Sequence, residues 1–113
     1  MEIKIKATAI EMTDAIRHYV DERMESIAKL VDDYDRAAMA EVEVGKSTQH
    51  HNKGPYMHAE INLTFLGNLF RATEEREDLY EAIDVCKDDV RRQLVDHKDR
   101  AKDEQRAPRP DKE

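Results

Sequence analysis

The chain opens on strict alternation. Ile3, Ile5, Ala7 and Ala9 fall on one side and Glu2, Lys4, Lys6 and Thr8 on the other, so residues 2–9 are predicted to form a strand with one buried face. The period then changes. Ile16, Val20, Ile27, Val31 and Tyr34 recur at helical spacing, with Tyr19, Met24 and Leu30 widening the apolar stripe. Thr13 supplies an N-cap hydroxyl and Asp14 a negative charge in the first turn, which predicts a helix over 14–31. Alternation returns after Asp32-Asp33-Tyr34-Asp35-Arg36, with Ala38, Ala40, Val42 and Val44 pointing inward and Met39, Glu41 and Glu43 outward. The polar, turn-forming stretch from Gly45 to Pro55 reads as a long hairpin connection. Met57, Ala59, Ile61, Leu63 and Phe65 then define a third strand, Gly67-Asn68 a turn, and Leu69–Thr73 a short fourth strand.

Asp78 with Glu81 three residues later resembles a capping box and starts a second helix over 78–102. Its buried stripe is Leu79, Ile83, Cys86, Val90, Leu94 and Ala101. Residues 103–113 are charged and carry Pro108 and Pro110, which predicts a disordered tail. The order is β-α-β-β-β-α: one α/β domain over residues 1–102, an α+β two-layer sandwich of a four-stranded sheet with both helices on one face.

Charge changes the picture. A formal net charge of −7 over 113 residues argues against a nucleic-acid partner only if charge is evenly spread. It is not. Projected at helical pitch, Lys87, Arg91, Lys98 and Lys102 line one edge of the second helix, interrupted only by Asp84. Glu81, Asp88, Asp89, Asp96, Asp99 and Asp103 lie mostly on the far side. Such a row either trades i,i+4 ion pairs with its neighbours or tracks backbone phosphates. Arg17, Arg23 and Lys29 of the first helix extend it, and Lys46 and Lys53 flank His50 and His51 in the hairpin connection.

Catalytic chemistry finds little support. No glycine-rich phosphate loop exists, and Cys86 falls on an apolar stripe as a buried structural thiol. Glu41, Glu43 and Glu60 are expected to form cross-strand ion pairs on the open sheet face beside Lys4 and Lys6. His50, His51 and nearby His58 offer imidazoles, but no cysteine or ordered carboxylate spacing accompanies them, so no metal or other cofactor is expected. A lone cysteine and the lack of a signal-peptide pattern or a membrane-length apolar run predict a cytoplasmic protein with no membrane or small-molecule partner.

Several motifs, taken together, carry a family resemblance. Glu11, Met12, Thr13, Ala15, Ile16 and Arg17 follow the first strand; Asp78, Leu79, Tyr80, Ala82, Ile83 and Asp84 open the second helix; Arg92, Gln93, Leu94, His97 and Lys98 come later, with Ala40–Lys46 between. In these the chain resembles the ribosome hibernation-promoting factors over roughly residues 3–102. The resemblance implies a fold similar to double-stranded-RNA-binding domains. It also implies binding to the small ribosomal subunit and its rRNA in the decoding channel, where the domain would block mRNA and tRNA without enzymatic turnover. Ser26, Asp89 and Asp96 stand where many members carry Lys, and Arg92 matches the family although it projects near the acidic side. Two other readings are a general double-stranded-RNA module and a protein–protein adaptor that uses the acidic sheet face.

Overall fold

Six elements follow one another in a computed structural model, which describes residues 1–47 and 56–106. They are β1 (Glu2–Thr8), α1 (Asp14–Val31), β2 (Met39–Ser47), β3 (Tyr56–Phe65), β4 (Asn68–Arg76) and α2 (Leu79–Arg106). Strand order is β1-β2-β3-β4. The β1–β2 pair is parallel, as the α1 crossover requires, and the two later pairs are antiparallel.

Sequence chemistry fixes the helix starts. The Thr13 hydroxyl accepts from the Ile16 amide at 3.1 Å, and the Asp78 carboxylate accepts from the Tyr80 amide at 3.1 Å. Ile16, Val20, Met24, Ile27 and Val31 of α1 are buried, as are Leu79, Ala82, Ile83, Cys86, Val90 and Leu94 of α2. They cover Ala40, Val42, Val44, Ala59, Ile61, Leu63, Phe65, Phe70 and Ala72 in one continuous core. The alternate sheet residues, Lys4, Lys6, Glu41, Glu43, Glu60, Asn62, Arg71 and Thr73 among them, are on the open face.

Four boundaries depart from the pattern. β1 stops at Thr8, because Ala9 turns into the left-handed region at φ 62° and sends the chain out towards α1. Gly45, Lys46 and Ser47 belong to β2 rather than to a loop, since their pairing with His58, Met57 and Tyr56 carries the ladder on. β4 runs to Arg76, paired with Met57. α2 continues to Arg106, four residues into the expected tail, and Ala101 is exposed, not part of the buried stripe. At 28 residues it spans about 42 Å, more than any strand beneath it. His50, His51, Lys53 and residues 107–113 lie outside the described residues. Tyr34, expected to extend the α1 stripe, is 64% exposed beyond the helix end.

Gly45 is required by proximity. A Cβ built there would stand 2.1 Å from the Thr8 carbonyl oxygen, so β1 and β2 close at this end only because the side chain is missing. Gly45→Ala should therefore lower stability by about 1–3 kcal/mol through forced separation of the two strands. Urea unfolding followed by circular dichroism measures this; an unchanged midpoint would show that the strands can part without cost.

Candidate nucleic-acid interface

The basic row of α2 runs along the side that faces α1, and only Arg91 and Lys102 of it are exposed. The two helices run in the same direction, with Tyr19 beside Tyr80 and Asp84 near their starts and Leu30 beside Lys98 towards their ends. At the first crossing the Tyr19 hydroxyl donates to Asp84 Oδ2 at 2.8 Å and Arg23 Nε donates to Oδ1 at 2.9 Å. The Arg23 guanidinium lies 4.1 Å from the Tyr19 ring centre, and Tyr19 meets Tyr80 edge to face at 4.5 Å. Burial and then the Asp84 hydrogen bond push the Tyr19 hydroxyl above its usual range, and the same carboxylate raises Arg23. Both groups therefore stay protonated at neutral pH.

At the second crossing Lys98 Nζ donates to the Leu30 carbonyl at 3.1 Å and sits 4.4 Å from the Tyr34 ring centre. It places a positive charge on the carbonyl end of α1, where the helix dipole favours one.

These contacts sort the predicted cations. Arg23 and Lys98 are structural ties between helices. The Lys87 side chain, only 17% exposed, pairs with Asp88 at 2.6 Å, and Arg92 pairs with Asp89 at 2.6 Å. The row is thus less exposed than its spacing suggests, because the edge beside an apolar stripe is where a neighbouring helix packs. Arg17, Lys29, Lys46, Arg91 and Lys102 are exposed, and among the described residues they form no ion pair. By helical projection Arg91 and Lys102 border the seam between α1 and α2, whereas Lys29 falls on the outer side of α1, opposite its buried stripe, and Arg17 on the flank of α1 away from α2. Lys46 lies in β2, apart from the helices. Lys53 lies outside the described residues. Arg36 and Arg100 are also exposed without an ion pair among the described residues; neither repeats with the row, so spacing gave no signal for them.

The open sheet face is mixed in sign. Lys4 and Lys6 lie opposite Glu41 and Glu43 in register without reaching ion-pair distance, while Arg71 pairs with Glu60 at 2.8 Å. The expected cross-strand pairing therefore comes from β4, not β1. A groove of about 520 Å³ opens between the end of α1, α2 and the β3–β4 turn, lined by Leu30, Tyr34, Phe65, Leu66 and Lys98 among others. Cys86 lies elsewhere, its Sγ 3.3 Å from the Ala72 carbonyl and 3.6 Å from that of Ala59. Burial, followed by the Glu74 carboxylate, pushes this thiol up to about 12, so it offers no thiolate nucleophile near neutral pH.

Residues 3–102 match the sequence profile of the sigma 54 modulation protein / S30EA ribosomal protein family. The chain belongs to this family. A ribosome hibernation promoting factor of Azotobacter vinelandii is 33% identical over 112 residues, covering 97% of this chain and 94% of that protein. The Escherichia coli K12 factor of the same name is 31% identical over 102 residues, covering 90% of this chain and 98% of its own length. The Thermus thermophilus Protein Y N-terminal domain shares the fold with a TM-score of 0.69 at 32% identity, covering 86% of this chain and 99% of that one.

Within this S30EA member, two positions where lysine is common in the resemblance serve local structure. Asp89 holds Arg92, and the Ser26 hydroxyl donates to the Arg23 carbonyl at 3.3 Å.

Two outcomes follow from the geometry. Lys98→Met should cost about 1 kcal/mol of stability by losing the helix cap, while Arg91→Met should stay within about 0.5 kcal/mol of the parent in the same denaturant titration. Equal effects would mean that the Lys98–Leu30 contact contributes nothing to stability. Cys86 provides the second. Its folded value lies above the ordinary 9.0, so its contribution to stability is full below about pH 9 and is lost as pH rises towards 12. Between pH 8 and about pH 10.5 the parent should lose on the order of 2 kcal/mol more stability than Cys86→Ala. Parallel losses in the two proteins would show that the thiol ionises as readily folded as unfolded.

Proposed function

We infer that the chain is a ribosome hibernation factor that binds the small subunit through its rRNA in the decoding channel and excludes mRNA and tRNA by occupancy. The observation that carries this reading is the set of exposed cations on the helical layer, Arg91 and Lys102 along the seam and Lys29 on the outer side of α1. Among the described residues no carboxylate holds their charge, whereas the other cations of the seam are held by carboxylates or a helix end. A net charge of −7 does not oppose this at physiological salt, because screening over roughly 8 Å leaves local charge to decide contact. Family membership and the names of the relatives support the ribosome as partner. Tight folding of the one cysteine supports binding rather than turnover as the means of inhibition.

The test is co-sedimentation with small subunits and with naked duplex RNA, alongside a reconstituted translation assay. Changing Lys29, Arg91 and Lys102 together to Glu should weaken subunit binding by orders of magnitude and leave the circular dichroism spectrum unchanged. The salt slope of the parent should be roughly 2–3 on log–log axes, given about 0.7–0.9 per neutralised phosphate. Inhibition should plateau near one molecule per ribosome. Inhibition that grows with time at far sub-stoichiometric amounts would mean a catalyst, and equal affinity for naked duplex would mean a general RNA module.

A further inference from the structure

The open face of the sheet carries a separate constellation, on the side away from both helices. Register places Glu43 of β2 directly opposite Glu60 of β3, with His58 two residues along β3 on the same face. One ligand atom from each of the three lies within 4.8 Å of the others, and His58 Nε2 stands 3.9 Å from Glu60 Oε1. The His58 and Glu60 side chains are 22% and 17% exposed, so the group is recessed. Like charges directly opposite across a strand pair repel, and this pair is held together nonetheless.

Donors outside the trio do the holding. The Thr8 hydroxyl donates to Glu43 Oε2 at 2.6 Å, and Arg71 and Asn62 donate to Glu60 Oε2 at 2.8 and 3.2 Å. Glu60 Oε1 is left turned towards the imidazole. Carboxylate oxygens fixed by hydrogen bonds from outside the group are the arrangement by which second-shell partners orient metal ligands. Sequence spacing hid this group, because its carboxylates come from different strands.

We propose that Glu43, His58 and Glu60 form a three-ligand site for a divalent transition metal, with zinc as the best fit and solvent completing the coordination. One imidazole nitrogen and two carboxylate oxygens suit zinc at about 2.0–2.2 Å, whereas magnesium and calcium favour all-oxygen shells. Small side-chain rotations close the gap from the present spacing, since the strands already fix the backbone. The site is independent of the ribosome-binding reading.

Isothermal titration of the full chain with zinc chloride should show one saturable site. Its affinity should fall about tenfold or more in each of His58→Ala, Glu43→Gln and Glu60→Gln. The two Gln variants remove like-charge repulsion without changing shape, so they are expected to fold as the parent does, which circular dichroism checks. Magnesium chloride should give no saturable site. The proposal is overturned by the absence of a zinc site, or by magnesium binding equal to zinc. It is also overturned if zinc binding is lost in a His50→Ala/His51→Ala or a His18→Ala variant while His58→Ala leaves it unchanged.

Discussion

The Asp84 carboxylate, half-exposed between two helices, takes both of its protein donors from α1. The Tyr19 hydroxyl and the Arg23 guanidinium satisfy its two oxygens, and the same pair stacks on itself and against Tyr80. With Lys98 on the Leu30 carbonyl at the far end, the helices are joined at two points and share one orientation over the sheet. The apolar core beneath would tolerate some sliding of one helix past the other, since hydrophobic attraction has no direction. Hydrogen bonds to a fixed carboxylate do not. What reaches solvent along the seam is therefore set by two polar ties that are themselves spent on structure.

This explains what the sequence made legible and what it concealed. The elements could be read because their burial is one-sided: Val20, Met24 and Ile27 repeat as a helix stripe, and Val42, Ile61 and Leu63 alternate as strands. Ends were harder. Residues 99–102 of α2 are exposed, so no apolar period marks the approach to the helix end, and Glu74 and Arg76 of β4 are polar residues on the core-side register beyond the core itself. Ala9 hid its turn, since a left-handed backbone leaves no trace in an alanine. The basic row was visible, but its neighbour was not. Arg23 and Asp84 are 61 residues apart, and only tertiary structure shows that the acid interrupting the row is the partner of a base on the other helix.

Partition of charge matters more than its sum. Acidic residues outnumber basic ones 26 to 19, and ion pairs leave that excess unchanged but neutralise charge locally: Asp88 and Asp89 hold Lys87 and Arg92, and Asp84 holds Arg23. A carboxylate paired beside a cation alters the near field less than a free one. A polyanion approaching the helical layer meets a few uncommitted ammonium and guanidinium groups set among pairs that are already neutral. An acidic isoelectric point and an RNA-bearing partner are therefore compatible.

The single cysteine, sealed between α2 and two strand carbonyls, has a practical bearing. The native surface is without a reactive thiol among the described residues. A cysteine placed by substitution at any exposed position would then be the one handle open to maleimide chemistry, with no need to remove the natural residue first. Spin labels, fluorophores or photocrosslinkers could be walked along both helices and the open sheet face in turn. The fold thus offers an unmodified background for mapping, position by position, whatever it touches.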